Sequence, residues 1–248
     1  MQIYIYIFKV PGPPMTVDFT SMDYLVAGIG AAMMAHSAIF GRSLGEKPRS
    51  ERRLARKYVV TAIRGALISA LILFVWYRSG RPFAELGLDW PITLPGLAGF
   101  GFDALLLCFL GYKLLQRRSA EQASAARQRM DSLHIMPQTH AEFMLFLAMV
   151  LLASPFEELM FRGFLMWFFG VFAGLWGAVL LTSLLFGIGH AYQGPSRILR
   201  TGLLGLAFGT AYALTHSLWW LMVAHIALNA YGALLAWQLT RQSPAPAE

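Results

Sequence analysis

Apolar residues gather into seven long runs along the chain, and short polar segments separate these runs. A run of about 20 apolar residues is long enough for a helix to cross the hydrocarbon core of a bilayer, which is roughly 30 Å thick. The runs cover residues 24–40, 58–77, 94–115, 142–171, 174–192, 198–214 and 218–239. The pattern therefore predicts an all-α polytopic membrane protein with about seven transmembrane helices.

The fourth run differs from the others in its length. Residues 142–171 form a run that is longer than a helix perpendicular to the membrane requires, and Pro155 lies inside it. Proline removes a helix hydrogen bond and commonly bends the helix. We therefore expect this span to be tilted, kinked or extended beyond the membrane. The number of spans rises to eight if this one is broken.

The composition supports the membrane assignment and narrows the chemistry. Of the 248 residues, 57% are hydrophobic and 13% are charged, whereas roughly 25% of residues are charged in a soluble domain. The single cysteine, Cys108, cannot form a disulfide within the chain, and one cysteine cannot build a cysteine metal cluster. The fold must therefore be held by helix packing.

Positive charges are distributed unevenly between the loops. Residues 41–57 hold seven Lys and Arg residues and residues 116–141 hold four, while the loops on the other side hold few. Cytoplasmic loops collect Lys and Arg, so we expect an outside N-terminus and a cytoplasmic C-terminus. The same asymmetry explains the net charge of +7. We therefore expect membrane lipids with anionic headgroups as partners, and no nucleic acid.

The polar segments divide the sequence into five regions. The segment after the third apolar run is polar and alanine-rich, which is typical of a short helix or a linker. The predicted regions are an N-terminal extension at 1–22, the first three transmembrane helices at 23–115, a cytoplasmic linker at 116–140, a catalytic helical core at 141–240 and a disordered tail at 241–248.

Three charged residues interrupt the fourth apolar run, in the stretch SPFEELMFRG. Charged groups at membrane depth are costly and usually face a protein interior or a water-filled cavity. Glu158 and Arg162 are four residues apart, so they share one helix face and suit an ion pair. Glu157 points away from that face. A purely structural ion pair explains Glu158 and Arg162 but leaves Glu157 without a partner, so we expect Glu157 to meet another helix.

Two later apolar runs also carry polar groups at helical spacing. Phe186 and His190 lie one turn apart in FGIGHAY, where the glycines favour close helix approach, and His225 and Asn229 do the same in HIALN. Three helices thus deliver polar groups from apolar surroundings, which predicts a polar cavity between the later helices. A glutamate, two histidines and an asparagine suit hydrolysis, because they offer a base and donors for an oxyanion.

The order of these motifs resembles that of a known family. EExxxR at Glu157, FxxxH at Phe186 and HxxxN at His225 are similar to the motif series of the CPBP intramembrane proteases. This family includes relatives of the CAAX prenyl endopeptidase and membrane proteases of the bacteriocin-immunity type. The resemblance is carried by residues 154–229, and ELGL at 85–88 is similar to a further segment of the family.

The resemblance implies a role for each matched position. Glu157 and His190 would activate the attacking water, while His225 and Asn229 would hold the tetrahedral oxyanion. The residues that would brace the site are Glu158, Arg162 and Phe186. The implied protein is an integral multi-pass protein of the bacterial cell (inner) membrane, which hydrolyses a peptide bond of a membrane-associated or lipidated peptide substrate.

The role of a metal stays open at this stage. Glu157, His190 and His225 could supply three zinc ligands with water as the fourth, as in catalytic zinc sites. The same residues could also act without a metal, as base and oxyanion donors. We favour the metal-free mechanism over zinc, because the set lacks the closely spaced ligand helix of a zincin.

Two other classes of function are compatible with buried polar residues. The chain could be a non-catalytic membrane binding or scaffold protein of the peptide-immunity type, which keeps the motifs for folding. It could also be a proton-coupled transporter, for which buried Glu and His are expected. The transporter is disfavoured because the sequence shows no repeated halves. The oligomeric state, the substrate and the pathway stay open.

Overall fold

The computed structural model describes residues 18–45, 51–90, 92–131 and 137–241, and all regular elements in these ranges are helical. The predicted all-α fold is therefore confirmed. Most of the predicted extension at 1–22 and nearly all of the predicted tail at 241–248 lie outside the described residues. The long helices are α1 Ser21–Gly45, α2 Glu51–Arg78, α3 Leu94–Leu115, α4 Ala120–Asp131, α5 His140–Glu158, α6 Met166–Gly189, α7 Pro195–Thr215 and α8 Trp219–Arg241.

Six segments of the described chain are long and apolar enough to cross a membrane. One of them, His140–Gly189, has 50 residues and reverses direction at Gly174. This residue has a φ of 68°, a value that glycine adopts readily. The reversal brings the rings of Phe161 and Phe186 to 5.1 Å across the hairpin. When this segment is counted as two membrane-crossing helices, the total with the other five segments is the seven that the apolar runs predict.

The fourth predicted span is continuous at its proline. Helix α5 continues through Pro155 to Glu158, and a π-helical segment, Leu159–Leu165, links it to α6. All seven residues of the π segment are buried. A π turn holds one more residue than an α turn and is often found at functional sites. The described chain thus carries an irregular turn, rather than a break, directly after the two glutamates.

Helices α6 and α7 pack with their backbones in contact. A Cβ atom added at Gly187 would lie only 2.7 Å from the carbonyl oxygen of Ile198, and one at Gly205 would lie 3.2 Å from the ring of Phe186. A Cβ atom at Gly189 would make an ordinary contact with Met34 at 3.8 Å. Of the two glycines before His190, Gly187 is therefore the one that permits the close approach.

The ELGL segment lies behind the π segment. Its first two residues end a 3-10 turn, Phe83–Leu86, in which Leu86 is fully buried. The carbonyl oxygen of Leu86 would lie 3.4 Å from a Cβ atom at Gly163. Gly87, with a φ of 75°, ends the turn, and its carbonyl accepts from the backbone N–H of Leu218 at 2.8 Å. The N-terminal half of the chain thereby supports the π segment and the start of α8.

A histidine completes this contact between the two halves. His216 Nε2 lies 3.0 Å from the carbonyl oxygen of Ala84 and donates to it. Burial lowers the pKa of His216 to about 4, so the ring is neutral near pH 7. The residue has a φ of 48°, a left-handed conformation that asparagine also tolerates.

We expect Gly187→Ala to destabilise the protein by about 1–3 kcal/mol, the usual cost of overpacking. The new methyl group would collide with backbone, which cannot rotate away as a side chain can. The measurement is thermal unfolding in detergent. Gly111→Ala is the matched control, since a Cβ atom at Gly111 meets nothing within 4 Å. Equal unfolding temperatures for both variants would contradict the backbone contact.

We expect acid to destabilise the fold partly through His216. Its pKa is lowered in the folded protein, so the unfolded chain binds more protons between pH 6.5 and pH 4. Its contribution to stability is therefore complete above pH 6.5 and is lost as the pH falls toward 4. The unfolding temperature of His216→Asn should fall less between pH 7 and pH 4.5 than that of the wild type. Parallel curves for the two proteins would contradict this assignment.

Candidate active site

The two adjacent glutamates occupy different environments at the end of α5. The side chain of Glu158 is completely buried, whereas 25% of the Glu157 side chain is exposed. This follows from helix geometry, because adjacent residues point about 100° apart. One carboxylate faces the protein interior, and the other faces a cavity.

Arg162 compensates the buried charge of Glu158. Its Nη1 atom lies 3.0 Å from Glu158 Oε1, and its Nη2 atom donates to the carbonyl oxygen of Gly205 at 3.2 Å. The guanidinium carbon lies 4.6 Å from the ring centroid of Phe186 and 5.3 Å from that of Phe208. The cation is thus stabilised by an ion pair, a backbone carbonyl and two aromatic faces. The ion pair that the spacing predicts is present.

His225 contacts both glutamates from α8. Its Nδ1 atom lies 2.6 Å from Glu158 Oε1, and its Nε2 atom lies 3.5 Å from Glu157 Oε2. Sequence reasoning missed the contact with Glu158, because no spacing rule relates two residues on separate helices. Glu158 therefore has two partners, Arg162 on its own helical arm and His225 on another helix.

His190 lies at the end of α6 in a defined orientation. Its Nδ1 atom lies 2.9 Å from the carbonyl oxygen of Phe186, one turn earlier, and donates to it. In a neutral imidazole the other nitrogen, Nε2, then carries the lone pair. The contact with the backbone of α6 thus fixes the ring and leaves Nε2 as the nitrogen that can accept a proton.

Asn229 lies one turn after His225 and contacts α5. Its Nδ2 atom donates to the hydroxyl oxygen of Ser154 at 3.1 Å. The sequence analysis assigned no role to Ser154, because a serine inside an apolar helix commonly bonds its own backbone. This contact joins the start of the SPFEELMFRG stretch to the last helix.

The four predicted catalytic side chains line one cavity of about 440 Å³. They come from the end of α5, the end of α6 and the middle of α8, and they are Glu157, His190, His225 and Asn229. The structure thus brings together every residue of the predicted catalytic set.

Tyr192, which the sequence analysis did not select, lines the same cavity. Burial raises the pKa of Tyr192 to about 12, so its hydroxyl stays protonated, and it accepts from Gln193 Nε2 at 2.9 Å. In the sequence this tyrosine is the last residue of an apolar run and is indistinguishable from an interfacial aromatic residue. A neutral hydroxyl is therefore available beside His190.

The three residues considered as zinc ligands do not form a metal-binding group in this arrangement. Across the described residues, no three His, Cys, Asp or Glu side chains come together in a group that could hold a metal ion. Glu157 and His225 are neighbours, but His190 does not complete a set with them. This arrangement gives no support to the zinc alternative, and the mechanism below uses no metal.

We expect Arg162→Met to destabilise the protein by about 3–5 kcal/mol, since it leaves Glu158 charged and buried. Glu158→Leu combined with Arg162→Met should regain much of this stability, because both charges are then absent. The double variant should still be impaired in any activity that depends on the cavity, since His225 loses the carboxylate that orients it. Thermal unfolding of both variants tests this, and equal destabilisation of the two would contradict it.

Comparison with known proteins gives one match and two negative results. The model of the family described as type II CAAX prenyl endopeptidase Rce1-like matches residues 139–231. No curated protein and no solved structure matches the chain. The matched segment begins just before α5, ends within α8 and includes all four cavity residues named above. The resemblance found in the motifs is thus confirmed: residues 139–231 match the Rce1-like family of type II CAAX prenyl endopeptidases.

Proposed function

We propose that this protein is an intramembrane endopeptidase that hydrolyses a peptide bond of a membrane-associated or lipidated peptide. One observation carries the proposal. In a chain with six candidate membrane segments, Glu157, His190, His225 and Asn229 from three helices line one cavity. The match to a family of endopeptidases supports the same reaction class.

Glu157 and His190 activate the attacking water in this proposal. Glu157 is the glutamate that reaches the cavity, and His190, whose Nδ1 atom contacts the carbonyl oxygen of Phe186, has its Nε2 atom left to take up a proton. The water oxygen attacks the carbonyl carbon while one of its protons passes to this pair. The proton then moves to the amide nitrogen and the C–N bond breaks. The products are a new carboxyl terminus and a new amine.

His225 and Asn229 stabilise the oxyanion that forms on the carbonyl oxygen. His225 keeps its Nδ1 atom against Glu158 at 2.6 Å, while its Nε2 atom, which lies a longer 3.5 Å from Glu157, is the nitrogen that donates to the oxyanion when substrate is bound. Asn229 uses one amide hydrogen on Ser154 and keeps a second for the oxyanion. Donors held in place before the reaction stabilise the charge that develops in the transition state.

Glu158 and Arg162 position these groups without contacting the substrate. Glu158 orients His225 through the 2.6 Å contact, and Arg162 balances the charge of Glu158. With His225 in its protonated form, one guanidinium and one imidazolium balance the two carboxylates. Neutrality lowers the cost of placing the cluster at membrane depth.

The orientation of the protein follows from its basic loops. With the C-terminus in the cytoplasm of a bacterial cell, α7 begins on the cytoplasmic side, and the cavity opens there because Arg197 and Arg200 line it. A substrate enters as an extended peptide, since a helix shields its amides by its own hydrogen bonds. A lipidated terminus meets this requirement more easily than an intact transmembrane helix.

We expect Glu157→Gln to lower kcat/KM by about 10²–10⁴-fold, the usual contribution of general base catalysis. The change keeps the shape of the side chain but removes the proton acceptor. The measurement is cleavage of a quenched peptide library, with and without a lipidated cysteine, by purified protein in detergent. Glu121→Gln on α4 is the matched control, because Glu121 is exposed and lies outside the cavity.

Further measurements on the same samples separate the alternatives. Metal analysis of active wild-type protein distinguishes the metal-free mechanism from zinc chemistry. If neither wild type nor Glu157→Gln cleaves any peptide while both stay folded, the endopeptidase proposal is wrong. Retention of the cellular function by Glu157→Gln would then favour the binding or scaffold protein.

A further inference from the structure

Two cavities meet at the catalytic glutamate. The larger, of about 440 Å³, holds the full catalytic set, and a second, of about 300 Å³, lies between α1, α2 and the π segment. The side chains shared by both linings are Lys57, Thr61, Glu157, His190 and Tyr192. A peptide whose scissile bond lies at Glu157 would therefore extend into one cavity on each side of that bond.

The larger cavity has an unbalanced charge. Its lining includes three cationic side chains, Lys57, Arg197 and Arg200, while Glu157 is its one carboxylate. Arg197 and Arg200 are three residues apart on α7 and so face the same way. Lys57 comes from α2, and its Nζ atom lies 4.9 Å from the ring centroid of Tyr192.

The second cavity has a different character. Its lining includes the cationic side chains of Lys57 and Arg64, but much of it is apolar and flexible, including Met33, Met34 and Met160. Methionine side chains adapt to irregular apolar ligands. A substrate that occupies both cavities would place an apolar part here and an anionic part in the larger cavity.

Loop charge alone does not explain the position of Lys57. Cytoplasmic loops collect basic residues for orientation, and such residues usually lie at the surface. Arg56 fits that description, since it is exposed and lines neither cavity. Lys57 is only partly exposed and lines both cavities. It also lies outside residues 139–231, so the family match assigns it nothing.

We propose that Lys57, together with Arg197 and Arg200, forms an anion subsite that binds the free C-terminal carboxylate of the peptide substrate. This inference rests on the proposed endopeptidase function. A C-terminal carboxylate is an anion that every unmodified peptide carries, whatever its side chains. Lys and Arg donate strong charge-assisted hydrogen bonds to such a group. The three residues therefore select bonds close to the C-terminus and set the direction in which the peptide lies.

The test compares two forms of one quenched peptide library that carries a lipidated cysteine, ending either in a carboxylate or in an amide. Wild type in nanodiscs of zwitterionic lipid should have a kcat/KM about 10- to 100-fold higher for the carboxylate form, as expected for hydrogen bonds to a charged group. Lys57→Gln and Arg197→Gln should lower this ratio. Arg56→Gln is the matched control and should keep it.

Two results would overturn the proposal. One is a wild type that cleaves both forms equally. The other is a loss in Lys57→Gln that is the same for both forms, because a merely structural role would lower both rates together and leave their ratio unchanged.

A binding measurement separates this proposal from the endopeptidase proposal. Fluorescence anisotropy records the binding of labelled peptides of both forms to the Glu157→Gln variant, with and without Lys57→Gln. Tighter binding of the carboxylate form that depends on Lys57 supports the anion subsite even if wild type cleaves nothing. Equal binding of the two forms contradicts the subsite even if wild type is an active protease.

A lipid headgroup offers the same anionic oxygen chemistry, so one arm of the test repeats the assay with anionic phosphatidylglycerol in the nanodiscs. If Lys57→Gln changes only the response to the anionic lipid and keeps the preference for a carboxylate, the bound group is a headgroup phosphate. That result would also overturn the proposal.

Discussion

The site depends on one carboxylate that is fully buried, that of Glu158. A charge in this position is tolerated only with partners, because the side chain is completely removed from solvent. Arg162 and His225 supply these partners at 3.0 Å and 2.6 Å. Each of them then needs support of its own. Arg162 obtains it from the carbonyl oxygen of Gly205 and from two aromatic rings. Glu158 and Arg162 together therefore link α5 to α7 and α8.

This arrangement separates two tasks between neighbouring residues. Glu158 serves the structure, and its neighbour Glu157 keeps part of its side chain exposed to the cavity. His225 belongs to both tasks, since one ring nitrogen faces each carboxylate. A substitution at either glutamate therefore affects the imidazole ring of His225. This coupling means that effects on stability and on activity must be measured together in every variant of this cluster.

Much of the fold and of the site could be predicted from the sequence. The contacts between separate helices could not. The apolar runs predict the membrane helices, because the bilayer imposes a length that the sequence must satisfy. The spacing of Glu158 and Arg162 predicts their pairing, because both lie on one helical arm. The contacts of His225 with Glu158 and of Asn229 with Ser154 depend on how separate helices pack. Tyr192 and Lys57 escaped notice for the same reason.

The backbone contact at Gly187 and Gly205 also decides which wall of the cavity is rigid. Where α6 and α7 touch through their backbones, as they do at Gly187, little side-chain volume lies between them to rearrange, so this pair of helices forms a stiff wall. The second cavity is lined instead by the long, adaptable side chains of Met33 and Met34 on α1. The α1 side of the second cavity can therefore adapt to a ligand more readily than the α6–α7 side, and it lies outside the segment that the family match covers.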